Sequence, residues 1–129
     1  YGTVDWKLRN DPRVAIMERT NAMHVTLPEK VDLIVVDVGW TKQRLILSNV
    51  FANLKLEGQV ISLIKPHYEA GPKLLRGGKV EEGSLKGILD KVKLDIKEAG
   101  GRVIQLVESP ILGGKGGNRE FLALVACST

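Results

Sequence analysis

The chain has 129 residues, of which 43% are apolar and 26% charged, with a net charge of +4. This length fits one domain with a single core, and the composition excludes a disordered chain. No apolar run approaches the ~18 residues of a membrane helix, and the polar stretch Tyr1 to Asn10 is not expected to be a secretory signal. The lone cysteine, Cys127, allows no internal disulfide, so a cytoplasmic location is expected. Tyr1 is not a native initiator, so residues before it are expected to have been removed or left out. The positive balance is compatible with nucleic acid, but many basic proteins bind nothing anionic. Its distribution is more informative. Lys65, Lys73, Arg76 and Lys79 fall in one stretch, and Lys115 and Arg119 in another, both poor in acids.

In chain order, Asp5 to Asn10 reads as the tail of a helix ended by Asp11-Pro12. Val14 to Met17 is the first of five short runs rich in β-branched residues, each expected to be a strand. The second, Val31 to Val38, is apolar on both faces at its centre, as in a central parallel strand. A buried helix segment is the competing reading, and the β-branched content favours a strand. Leu47, Val50, Phe51 and Leu54 have the spacing of one helix face. Val60 to Ile64 is the third strand. Leu85, Ile88, Leu89, Val92 and Ile96 predict a second helix, stopped by Gly100-Gly101. Val103 to Val107 and Phe121 to Ala126 complete the set, joined by a Gly-rich loop without helical periodicity.

Strands alternating with helices imply right-handed crossovers and a mostly parallel sheet. The last two strands predict an antiparallel hairpin at its edge. The expected fold class is therefore α/β, a Rossmann-like sheet that begins partway through. No strand followed by a Gly-rich turn and a helix precedes Val14, although such a unit normally builds the cofactor site. Gly113-Gly114-Lys115-Gly116-Gly117 is not a P-loop, because no Ser or Thr follows the lysine and no helix follows the loop. A flexible hairpin loop is the simpler reading.

Three ionisable residues stand where strands end. Asp37 closes the second strand, Lys65 the third, and Glu120 precedes the last. At one edge of a doubly wound sheet these three can converge. A lysine between carboxylates can transfer a proton or position a hydroxyl. It can equally belong to an ordinary ion-pair network.

Asp11-Pro12-Arg13-Val14, Met17-Glu18-Arg19-Thr20-Asn21-Ala22 and Val36-Asp37-Val38 are distinctive in wording. So are Ile64-Lys65-Pro66-His67-Tyr68-Glu69-Ala70-Gly71, Ser109-Pro110-Ile111 and the segment Lys115 to Leu122. In this order they resemble the TlyA, hemolysin-like branch of the FtsJ-type RNA ribose 2′-O-methyltransferases, over nearly the whole chain. The resemblance implies S-adenosylmethionine as cofactor, RNA (ribosomal RNA foremost) as substrate, and a Lys-Asp-Lys-Glu tetrad. Asp37, Lys65 and Glu120 match its last three members. The first lysine, the first strand and the Gly-rich cofactor turn have no counterpart here, and Tyr1-Gly2 match the remnant of the segment after the acidic ribose contact. Residues 1–129 are accordingly expected to be a partial methyltransferase domain.

The same resemblance makes Asn21 and Asp37 the candidate cofactor contacts, with Asn21 facing the adenine. It makes Lys73, Arg76, Lys79, Lys115 and Arg119 candidate contacts to RNA phosphates. The family usually has Ser-Phe where this chain has Gly39-Trp40; Trp40 can stack on a base or simply pack over the sheet edge. His67 replaces a residue that is often glutamine, and no second ligand cluster marks it as a metal site. A domain without its first strands would expose edges and apolar faces, which homodimerisation can cover.

Overall fold

A computed structural model describes residues 4–39, 41–113 and 117–128. Its elements, in order, are α1 (Trp6–Arg9), β1 (Val31–Val36), α2 (Gln43–Ala52), β2 (Leu54–Ile64) and α3 (Pro66–Glu69). A short hairpin, β3 (Leu75–Arg76) and β4 (Lys79–Val80), precedes α4 (Leu85–Glu98), β5 (Gly101–Glu108) and β6 (Phe121–Cys127). The main sheet has the order β1-β2-β6-β5. β1 and β2 are parallel, whereas β6 is antiparallel to both β2 and β5. β5 therefore runs with β1 and β2, so three strands share one direction and their carboxyl ends meet at one edge. The C-terminal hairpin is present, with β6 inserted inside the sheet and β5 on the rim.

Alternation along the strands explains the core. Val60, Ser62 and Ile64 of β2 and Phe121, Ala123 and Val125 of β6 are buried on one face. Ile46, Leu47 and Val50 of α2 and Ile88, Val92 and Ile96 of α4 join them in a single cluster. The other face carries Leu33 and Val35 of β1, 53% and 67% exposed, and the exposed Ile104 and Val107 of β5. None of the described helices is long and apolar enough to cross a membrane.

Four expectations are corrected. Val14 to Met17 forms no strand, because no strand among the described residues pairs with it: its first amide turns back to the Asp11 carbonyl, and Val14 and Met17 stay exposed. Asp5 to Asn10 is not the tail of a longer helix. It is one complete turn, started by the Asp5 side chain accepting from the Lys7 amide. β1 ends at Val36 rather than Val38, which leaves Asp37 in the connection to α2. Leu54 belongs to β2 rather than to a helix face, since Asn53 ends α2. β2 starts early through a bulge: Val31 pairs with Leu54 but Leu33 with Gln59. The β3–β4 hairpin turns on Gly77-Gly78, whose φ values of 58° and 80° suit glycine at both turn positions.

Candidate active site

The register places the site. Val36 pairs with Ser62, so Asp37 and Lys65 follow the adjacent ends of two parallel strands. Ile64 pairs with Phe121, so Glu120, just before β6, stands across from Lys65. Lys65 Nζ lies 2.7 Å from Asp37 Oδ1. The lysine side chain is 17% exposed and the carboxylate 65%, so the pair sits at a mouth with the cation on the inner side. Lys65 Nζ also lies 5.7 Å from the centre of the Tyr68 ring. Glu120 is half-buried; its carboxylate lies against Gly113, where any side chain would collide with it. Its backbone carbonyl accepts from the Ser109 amide at 2.8 Å. Among the described residues no ion pair joins Glu120 to Lys65; the three groups share one edge, two of them in contact.

His67 begins the first turn after Lys65-Pro66. Its Nδ1 is buried and has no hydrogen-bond partner among the described residues. Its ring packs on Tyr68 with centres 4.3 Å apart. Burial holds the imidazole below the usual histidine range, the Glu120 carboxylate opposes this, and Lys65 reinforces it. The folded chain therefore takes up this proton less readily than the unfolded chain. Stability is fully present above the ordinary histidine value of 6.5 and is lost as pH falls through the lower folded value. His67→Gln is expected to reduce that acid loss. Urea unfolding midpoints measured above and below that pH test it, and an unchanged acid loss in the variant contradicts it. Among the described residues no three His, Cys, Asp or Glu side chains cluster to hold a metal.

Asn21 is exposed, and its Oδ1 accepts from the Met23 amide at 2.9 Å. The loop that follows is tied to α2. Asn49 Nδ2 donates to the Ala22 and Val25 carbonyls, both at 2.9 Å. Asn53 accepts from the Leu27 amide at 2.8 Å and donates to the Val25 carbonyl at 3.0 Å. Beneath this loop a mainly apolar cavity of about 280 Å³ is lined by Ala22, Val25, Ile34, Asp37, Ile46 and Asn49, among others.

The basic candidates differ from one another. Lys73 and Lys79 are exposed. Arg76 is paired with Glu81. Arg119 is gripped by Glu108, at 2.6 Å from Nη2, and by Glu82, which together push its pKa up. Lys79 and Arg119 line a cavity of about 140 Å³ with Pro66 and Asn118, next to the Lys65 edge. Trp40 and Lys115 lie outside the described residues, as does Tyr1-Gly2.

Sequence reasoning missed a network of half-buried and buried polar groups, Glu69, Gln43 and Ser62, at this edge. Glu69 Oε1 accepts from the Gln43 amide at 2.8 Å. The Gln43 side chain donates to the Leu63 carbonyl at 3.3 Å and accepts from Ser62 Oγ. The available signal was Glu69 itself, an acidic residue four positions after Lys65.

Residues 1–126 match the FtsJ-like methyltransferase family. The chain belongs to that family. Within it, relatives of the TlyA, hemolysin-like branch stand out. The 16S/23S rRNA (cytidine-2′-O)-methyltransferase TlyA of Mycobacterium tuberculosis is 33% identical over 130 residues, covering 96% of this chain and 48% of that protein. A solved structure of a hemolysin-like protein from Streptococcus thermophilus superposes with a TM-score of 0.91 at 35% identity, over 97% of this chain and 47% of that one. One from Lactococcus lactis gives 0.87 at 31% identity, over 97% and 62%. The chain thus spans about half the length of the curated FtsJ-like relatives it matches, and its mixed α/β sheet is that of a Rossmann-like methyltransferase.

Proposed function

We propose that this chain carries the substrate-side part of an S-adenosylmethionine-dependent RNA ribose 2′-O-methyltransferase, acting in the cytoplasm on ribosomal RNA. The observation that supports this most is the Lys65–Asp37 pair at the adjacent ends of two parallel strands. Open α/β sheets place their ligands at such an edge.

A ribose 2′-hydroxyl is a weak nucleophile and needs its proton removed or its developing charge held. Lys65 Nζ performs that task, either accepting the proton or, as the ammonium, stabilising the alkoxide. Asp37 fixes the amine from one side and Glu120 sets the field from the next strand. S-adenosylmethionine supplies the methyl group. The residues present suit its adenine end: Asp37 lines the mainly apolar cavity, and Asn21 precedes Ala22 at its rim. Lys79, exposed beside the edge, and Lys73, exposed in the turn before β3, meet RNA phosphates. Arg76 and Arg119 do so only by exchanging their glutamate partners for phosphates. Trp40 and Lys115 complete the proposed RNA contacts. Residues 1–129 then form a partial methyltransferase domain.

A second reading is a non-catalytic chain that binds RNA or self-associates. The exposed Leu33 and Val35, on a strand with one edge unpaired among the described residues, favour a homodimer covering that edge. Calorimetric titration of this chain with S-adenosylmethionine separates the two. Micromolar binding supports the first. No binding, together with a concentration-dependent dimer in sedimentation, supports the second.

A further inference from the structure

Asp37 and Lys65 belong to different connections: Asp37 opens the link from β1 to α2, and Lys65 the link from β2 to α3. Their 2.7 Å contact requires those two links to keep a fixed separation. Glu69 and Gln43 join the same two links from behind. Gln43 is the first residue of α2, and Lys42 before it provides no side-chain cap. The Gln43 amide is thus one of the helix's orphan donors, and Glu69, the last residue of α3, accepts from it at 2.8 Å. The Gln43 side chain, 2% exposed in its residue, reaches the end of β2 through the Leu63 carbonyl and Ser62 Oγ. Ser62 is itself paired with Val36, the neighbour of Asp37. The chain of contacts therefore closes a ring around the Asp37–Lys65 pair.

The arrangement is costly to keep. Gln43 occupies a core-facing helix position where an apolar side chain packs without penalty. Burial pushes the Glu69 carboxyl above its usual range, offset in part by the Gln43 amide, with the nearby Asp95 carboxylate adding to the rise. Such expense at the edge of a reactive pair points to a functional constraint.

We propose that Glu69 and Gln43 are positioning residues that hold Lys65 against Asp37 for methyl transfer, without touching the substrate themselves. This role rests on the methyltransferase reading above. Its test begins with the pair itself. Isotope-labelled lysine, followed by NMR in this chain, reports how far Asp37→Asn displaces the resonance of the Lys65 side-chain amine, which the 2.7 Å contact with Asp37 perturbs. In a Glu69→Ala background that displacement should fall by at least half. Glu69→Gln, which keeps an acceptor for the Gln43 amide, should restore it. Gln43→Met keeps the amide but removes the side-chain arms, and should reduce the displacement as Glu69→Ala does; it serves if Glu69→Ala fails to fold. A native-sized displacement in folded Glu69→Ala or Gln43→Met, or no restoration by Glu69→Gln, overturns the proposal. In methyl transfer by a complete homologous chain, Glu69→Ala should lower kcat by about tenfold to a hundredfold with the RNA KM unchanged, and native kcat also overturns it. A complete unsubstituted homologue without activity counts against the methyltransferase reading alone, and the NMR comparison then decides the positioning role.

Discussion

In a complete homologous chain, alanine at the position of Lys65 is expected to slow methyl transfer to ribosomal RNA by about 10²–10⁴-fold, the range that a positioned acid–base group contributes. The side chain is mostly buried, paired with Asp37 and backed by the Tyr68 ring, so no other described amine shares its location. Lys65→Arg should not rescue the rate, because a planar guanidinium cannot accept a proton and needs a wider seat. The loss should fall on kcat, since the residues proposed to meet RNA phosphates are untouched. Folding should survive the change: Asp37 is largely hydrated and tolerates the loss of its partner. Initial rates of methyl incorporation, with a denaturation midpoint measured alongside, check both halves. Retained methylation by folded Lys65→Ala removes the proposed role.

Leu47→Ala should have the largest effect on stability. Leu47 is 0% exposed at the middle of α2, within the cluster that α2 and α4 form over the sheet. Removing its isobutyl group loses transfer free energy and leaves a cavity that rigid neighbours fill poorly, for a cost of about 3 kcal/mol. Domains of this size are stable by only about 5–15 kcal/mol, so a large part of the margin goes. Leu45, on the same helix but 45% exposed, is the control, and its alanine variant should change stability by less than about 0.5 kcal/mol. Urea midpoints for the two variants, at unchanged slope, test the contrast. Equal losses would mean that α2 does not pack as described.

Periodicity made most of the sheet and both long helices legible. β1, the end of β2, β5 and β6 follow from β-branched runs, and α4 from five apolar residues at helical spacing. Val14 to Met17 has the same composition but no neighbour, and a strand is a property of the pair rather than of the segment. Composition also hid where α2 stops and β2 starts, because Leu54 continues a helical stripe that Asn53 has already ended. At the site, Asp37, Lys65 and Glu120 were readable as positions at strand ends, since strand ends are where such sheets place ligands. The state of the arginines was not readable. Arg119 meets Glu108 and Glu82 across 11 and 37 residues of sequence, and Gln43 meets Glu69 across 26. Partners that distant are brought together only by the fold, so a basic stretch in sequence overstates the charge free to meet RNA.

The place of β6 between β2 and β5 also governs assembly. Its neighbours in the sheet are both made before it, yet neither can pair with the other across the gap it fills. During synthesis β1-α2-β2 and α4-β5 have no strand to join them within the sheet until β6 is made. Closure then joins β6 to a β2 strand some 60 residues earlier, the kind of distant contact that slows folding. Glu120 reaches its place opposite Lys65 in that same last step, so the reactive edge comes together only when the whole sheet does.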